Sequence, residues 1–437
     1  MRTPIWRVAQ AVRASLAPPH NEKATGAETR LYADNYRNLL LSGAWFGPVD
    51  GGIFNYLPVF LARLGASAST VSLLTSGQSL LGIFAFIPGG AYTERHRDVM
   101  KLFVRAGLVS RLIYLLIALL PLFFSRTAIP LVAVLLWTLI AIPNAIHIPA
   151  WAAIMQKAIP PEQRARLNGT RWALMSLTSG MCLALFGLLL DNVSFPIGYQ
   201  IVFGIGFAAG VVNVSYFGRV QTPPFDFQTA RAIGSPSLAV RLRTFARPFA
   251  ESRSFVRFSI ASFSYRLALA LPAGLFSVFC VRELHASDTW IGLRGTAGYA
   301  ALVIGYWLWG RVTNHIGHRT LLLICGGGLA LYPALTALAP TPAWLLPAAV
   351  LWGLTASGLD IGLFDMLLVA CPEGKMPSFA AAANVLASIA ASVGPLLGAA
   401  LAQGVGMRPA LLVIGGLIAA AAAAFLLLPN RQQEGLG

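Results

Sequence analysis

Apolar runs of about 20 residues alternate with short polar connections along the chain, and a run of that length crosses a hydrocarbon core of about 30 Å as a helix. Within each run, apolar residues occupy every face instead of every second position, which predicts membrane helices and not barrel strands. Twelve spans are expected. Six cover approximately 38–62, 68–90, 99–124, 128–154, 169–190 and 196–219; six more cover approximately 255–281, 288–310, 319–339, 342–370, 377–402 and 408–429. The expected fold is an all-α polytopic membrane protein with two pseudo-symmetric six-helix halves.

The polar connections divide the chain further. Residues 1–36 form a basic N-terminal segment, 37–219 the first half, 220–254 a linker, 255–429 the second half and 430–437 a tail. Ile5, Val8, Val12 and Leu16 recur at helical spacing, with Arg2, Arg7 and Arg13 between them. That pattern reads as an amphipathic helix on the membrane surface or as a disordered tail. It lacks the long apolar core of a signal peptide. The linker contains Pro223-Pro224 and a basic amphipathic piece from Leu238 to Phe249, suited to the inner membrane surface.

Composition agrees: 57% of residues are hydrophobic and 11% charged, against about 25% charged in soluble domains. The net charge of +16 is distributed by side. Of 32 Lys and Arg, only Arg63, Arg126, Arg282, Arg294 and Arg408 fall on one set of connections; the others fall on or near the alternate set. By the positive-inside rule the basic set is cytoplasmic, as are both termini, in the inner or plasma membrane. Anionic lipid headgroups are the expected partner of this charge, and nucleic acid is not. Cys182, Cys280, Cys325 and Cys371 lack metal-ligand spacing and read as free thiols. No metal or cofactor is expected.

One short loop occurs twice. Gly90-Ala91-Tyr92-Thr93-Glu94-Arg95-His96-Arg97 follows span two, and Gly310-Arg311-Val312-Thr313-Asn314-His315-Ile316-Gly317-His318-Arg319 follows span eight. Their first glycines are 220 positions apart, about half the chain, as expected of a transporter built from parallel repeats. A fainter echo links Pro160-Pro161-Glu162-Gln163-Arg164 to Cys371-Pro372-Glu373-Gly374-Lys375.

Two six-helix halves, a long central loop and the repeated Gly-x-x-x-acid-Arg pattern resemble the major facilitator superfamily from about residue 36 onward. The family loop reads Gly-x-x-x-Asp-Arg/Lys-x-Gly-Arg/Lys-Arg/Lys. The first copy keeps Gly90, Arg95 and Arg97, with Glu94 for Asp and no second glycine; the second keeps Gly310, Gly317 and Arg319, with Asn314 for Asp and His315 for the basic residue. The resemblance implies that these loops gate the cytoplasmic side through ion pairs, more strongly at Glu94 and Arg95 than at Asn314 and His315. Subfamily signatures are absent: span four has no embedded arginine, span five has no Gly-Pro antiporter motif, and Gly394-Pro395-x-x-Gly398 lies in span eleven instead.

An ionised side chain at the bilayer centre costs roughly 2.5–3.5 kcal/mol on insertion scales, so embedded charges call for a partner, water or a role. The embedded acids are Asp50, Asp360 and Asp365, and the bases Arg111, Arg266 and Arg294. Asp50 reads as a proton-coupling site, as a carboxylate paired permanently with an arginine, or as one hydrogen-bonded at a helix break by Gly51-Gly52. Arg266, beside Tyr265, reads as an anion-binding group or as a partner for Asp50 across the cavity. Five residues along a helix turn about 140°, so Asp360 and Asp365 face different ways. Asp360 is favoured for the cavity because Gly353, Ser357 and Phe364 share its face. Arg111 and Arg294 are expected to snorkel. Asn144 and His147, between Pro143 and Pro149, are further candidates, with a hydrogen-bonded structural histidine as the alternative. Trp45, Tyr56, Tyr265, Tyr299, Trp307 and Trp352 are candidate cavity aromatics. Gly43, Gly47 and Gly51 predict close packing of span one on a neighbour.

The resulting expectation is a monomeric secondary transporter of a small molecule by alternating access, proton-coupled and exporting an amphipathic compound. The alternatives are an uncoupled facilitator and a non-transporting sensor or assembly partner on the same fold. No Walker motif or catalytic set points to an enzyme.

Overall fold

The computed structural model describes residues 26–94, 96, 98–223, 248–372 and 376–428. The amphipathic N-terminal piece, the core of the linker, and Arg95 and Arg97 of the first repeated loop lie outside these residues.

Among the described residues, twelve membrane helices form two halves. In the first, α1 comprises Gly26–Val49, a π-helical turn Asp50–Phe54 and Asn55–Arg63. It is followed by α2 (Ala68–Glu94), α3 (Val99–Phe123), α4 (Ile129–Leu139 and Ala141–Ala158), α5 (Pro161–Asn192) and α6 (Ile197–Gly218). In the second, α7 comprises Arg253–Ala270, Leu275–Val278 and the π turn Phe279–Glu283. Then come α8 (Asp288–Ile316), α9 (His318–Leu338), α10 (Leu345–Ala370), α11 (Met376–Val405) and α12 (Met407–Ala423).

The interruptions have local causes. Pro143 has no N–H for the Leu139 carbonyl, and α4 breaks at Ile140. Pro272 interrupts α7 in the same way. Pro48 precedes the π turn of α1, and Gly51-Gly52 lie within it. The start of α1 differs from the expected span: the helix begins at Gly26, because its polar first turns extend beyond the apolar run. Asn35 anchors this extension, donating to the Gln221 carbonyl at 2.8 Å and accepting from the Gln221 N–H at 2.9 Å.

Ten of the helices are long and apolar enough to cross a membrane by composition; α1 and α8 are not among them. Both carry polar residues that join the halves, among them Asp50 and Arg63 of α1 and Asp288 and Tyr299 of α8. Within the first half α1 packs on α5 and α6; within the second, α7 packs on α11 and α12. Between the halves α5 packs on α8 and α2 on α11, as a pseudo-twofold axis requires. Small residues permit the close approaches. A Cβ on Gly51 would sit 2.6 Å from the Ser179 carbonyl oxygen, and one on Gly187 would sit 2.6 Å from that of Asp288.

Candidate functional site

The halves meet along a polar seam running from the membrane midplane to the end opposite the repeated loops. At the midplane the π turn carries Asp50, whose carbonyl accepts from Asn55 Nδ2 at 2.7 Å. The Asp50 carboxylate accepts a short hydrogen bond from the Tyr299 hydroxyl of α8. Next to it, Thr296 of α8 donates to the Gly180 carbonyl of α5 at 2.6 Å.

Further along, Tyr56 bridges the halves, its hydroxyl reaching the Leu183 and Asp288 carbonyls at 2.9 and 3.2 Å. Beyond it Arg63 donates to Asp288 through Nε at 3.1 Å and Nη2 at 2.9 Å, and to the Ala286 carbonyl at 2.8 Å. Tyr199 donates to the same Asp288 oxygen at 2.8 Å. Asp191, ending α5, accepts the first backbone N–H groups of α8 from Asp288 and Thr289, both at 2.9 Å. That is the favoured place for a carboxylate on a helix dipole. Arg282 donates to the Ala66 carbonyl at 2.6 Å, and Gln403 donates to Ser69 at 2.7 Å. A vestibule of about 720 Å³, lined by Arg63, Asp191, Arg282, His285 and Asp288 among others, lies at this end. The two halves are thus joined from midplane to rim.

At the opposite end lie the repeated loops. Among the described residues, a Cβ built on Gly90 or Gly310 meets no atom within 4 Å. Gly317 has φ of 80°, the left-handed region that favours glycine, and it ends α8 so that α9 can start at His318. His315 stands in the last turn of α8 and Arg319 in the first turn of α9. The side chains of Glu94 and Asn314 lie outside the described set. Asp98, beyond the first loop, caps α3 by accepting from the Lys101 N–H at 3.0 Å. Hydrogen bonding to Lys101 holds its carboxyl below the usual range.

The remaining embedded charges sit in the second half. Arg266 of α7 and Asp360 of α10 are both exposed and within electrostatic reach of each other. The Tyr306 hydroxyl of α8 donates to Asp360 at 2.7 Å. Asp365 turns elsewhere: its carboxylate lies 3.2 Å from His318 Nδ1, without hydrogen-bond alignment. The two acids of α10 therefore do face different neighbours. Asp50 and Arg266 are not brought together; Tyr299 occupies the position beside Asp50.

Several other residues lie apart from the seam. Tyr265 is fully buried, its hydroxyl 3.3 Å from the Gly326 carbonyl and its ring against Phe425. Asn144 accepts from Ser110 at 3.2 Å, and His147 stacks on Phe103 with Nδ1 3.1 Å from the Phe103 carbonyl. Both contacts are to α3, inside the first half. Trp45 and Trp307 are exposed, the latter beneath the Arg311 guanidinium, and Trp352 packs near Gly298. The four cysteines are free thiols.

Two expectations are corrected. Arg111 does not snorkel: it is 4% exposed and donates to Asn213 of α6 at 3.1 Å. Gly210 leaves room for its stem, since a Cβ there would sit 2.7 Å from Arg111 Cγ. Arg294 is held inward, donating to the Tyr332 hydroxyl and lying over the Tyr332 and Phe276 rings.

The Arg63–Asp288–Asp191 cluster escaped the sequence reading. Charges at span ends look like topology markers, and a polar residue at each of three ends was the only available signal.

Known proteins share this architecture. A mutant form of the nucleoside transporter NupG superposes with a TM-score of 0.70 at 12% identity, over 90% of this chain and 99% of that one. A bacterial homologue of the iron transporter ferroportin, in an inward-facing state, gives 0.67 at 15% identity, over 91% and 98%. A bacterial homologue of the human lysosomal transporter Spinster, inward-facing and occupied, gives 0.67 at 14%, over 92% and 97%. An MFS-type transporter of Pestalotiopsis microspora is 24% identical over 158 residues, 34% of this chain and 29% of that protein. The Major Facilitator Superfamily profile matches residues 39–257 and 258–436, nearly the whole described structure. The chain belongs to the Major Facilitator Superfamily and is a multi-pass membrane protein of transporter architecture.

Proposed function

We propose that the protein is a proton-coupled secondary transporter that exports a small amphipathic molecule, with Asp50 as the coupling acid. One observation carries this reading: Asp50, a titratable group at the midplane, bonds to Tyr299 across the boundary between the halves. A hydrogen bond to an ionised acceptor is about twice as strong as one between neutral groups. Protonation of Asp50 therefore weakens a contact between the two bodies that alternating access must move apart.

The arginine-rich loop face is taken as cytoplasmic by the positive-inside rule, with both termini on that side. On this orientation the seam seals the outer end, and the conformer is the one open to the cytoplasm. The inward-facing state of two of the similar structures is in keeping with it. The exposed pair Arg266 and Asp360 then lies in the accessible cavity.

The test is transport in proteoliposomes with an imposed pH gradient, using a panel of amphipathic fluorescent compounds. Gradient-driven flux that Asp50→Asn abolishes, while gradient-independent exchange persists, supports the reading. Flux equal with and without the gradient makes the protein a facilitator. Correctly folded protein that moves no compound, yet whose loss has a cellular phenotype, supports a sensor or assembly role on this fold.

A further inference from the structure

We propose that Arg266 is the substrate-recognition group of the cavity and that the transported compound is an amphipathic organic anion. This deepens the transporter reading above and rests on it.

Arg266 lies about midway along α7, yet its side chain is exposed. A charge at that depth is tolerated only where water or a counter-charge meets it, so it faces the cavity and not lipid. Asp360 supports this placement. From α10 it reaches the Tyr306 hydroxyl of α8 at 2.7 Å while lying in the field of Arg266 on α7. A side chain that bonds to α8, lies in the field of a charge on α7 and stays exposed lies on the concave face of the half.

Asp360 does not neutralise Arg266 by contact. Among the described residues the guanidinium donates no hydrogen bond and makes no direct ion pair; Asp360 acts on it only through its field. All five guanidinium N–H donors remain available in a planar fork that matches a carboxylate, sulfonate or phosphate monoester. Arg111 and Arg294, by contrast, are already engaged by Asn213 and Tyr332. Phe364, one helical turn beyond Asp360, is 59% exposed and shares its face, offering an apolar surface for the rest of the ligand. An acidic headgroup on an aromatic or alicyclic body fits this arrangement.

The experiment uses three compounds with one apolar body: 1-naphthoate, 1-naphthylmethylammonium and 1-naphthalenemethanol. Each is titrated calorimetrically into the full-length protein in nanodiscs, with empty nanodiscs subtracted for lipid partition. The naphthoate is expected to bind at least tenfold tighter than the alcohol, and the ammonium weakest. Arg266→Gln should remove that preference. Asp360→Asn, which takes away the nearby negative charge, should tighten naphthoate binding several-fold, a change that a merely structural Arg266 would not produce and one that remains readable if Arg266→Gln folds poorly. The inference is overturned if the three compounds bind alike, if none binds, if the cation binds best, or if Asp360→Asn leaves the anion unaffected. Binding is read at equilibrium without a gradient. Failure of proton coupling in Asp50→Asn would therefore leave this result standing, and failure here would leave coupling standing.

Discussion

Arg63 Nη2 donates to Asp288 Oδ1 at 2.9 Å, tying the end of α1 to the start of α8 across the boundary between the halves. The Asp288 side chain is only 6% exposed, and Tyr199 and the Asp191-bound helix terminus surround it. A charge-assisted hydrogen bond with one desolvated partner contributes about 1.5–3 kcal/mol. On the proposed alternating-access reading, this pair favours the conformer closed at this end.

Breaking it should shift the population. Arg63→Gln should favour opening at this end by roughly tenfold to a hundredfold, from that same energy. Accessibility of a cysteine placed at Ser287 to a membrane-impermeant maleimide would measure the change. Reversal of the pair, Arg63→Asp with Asp288→Arg, should restore much of the protection. Unchanged labelling in Arg63→Gln would assign closure to the apolar contacts of α5 with α8 instead.

Steric demand separates the glycines. A Cβ on Gly47 would lie 2.5 Å from Thr178 Cβ and 2.9 Å from the Ser179 nitrogen. Gly47→Val should cost about 1–3 kcal/mol through overpacking of α1 on α5. Gly90→Ala has open space and a helical backbone, and should leave stability unchanged or raise it by up to about 1 kcal/mol. Thermal unfolding in nanodiscs compares the two.

Arg111 depends on Asn213. Asn213→Ala leaves the buried guanidinium without its one described acceptor and also removes the bond to the Ser42 carbonyl at 2.7 Å. We expect a loss of about 1.5–3 kcal/mol. Pairing it with Arg111→Met should recover part of this, because apolar replacement of a buried charge is often neutral. Thermal unfolding of the single and double variants checks the recovery.

Much of the architecture was legible because the bilayer imposes it. Span length and the close packing of Gly43, Gly47 and Gly51 on α5 follow from local chemistry. Relations between the halves were not legible. Asp50 and Arg266 occupy matching helices, which made their pairing attractive, but helical register across an interface is a tertiary property. Tyr299 looked like one aromatic among many until α8 brought its hydroxyl to Asp50. Arg111 and Arg294 resembled other long basic side chains able to snorkel, and only the acceptors on neighbouring helices distinguish them. Tyr265 and Tyr56 carry the same chemistry as cavity aromatics, but both rings are fully buried.

The central claim is that the charge on Asp50 biases the two halves. Spin labels on Gly90→Cys and Gly310→Cys, with the four native cysteines replaced by alanine, would report the separation of the loops by pulsed electron resonance as pH is varied. Among the described residues, a Cβ at either glycine meets no atom within 4 Å, which suits both positions to labelling. An ionised Asp50 holds Tyr299 more tightly than a protonated one, by about 1–1.5 kcal/mol, or roughly tenfold in population. We predict that acidification moves wild-type protein toward the shorter loop-to-loop distance, and that Asp50→Asn holds the shorter distance at every pH. A distribution that ignores pH in the wild type, or shifts with pH equally in Asp50→Asn, would contradict the account.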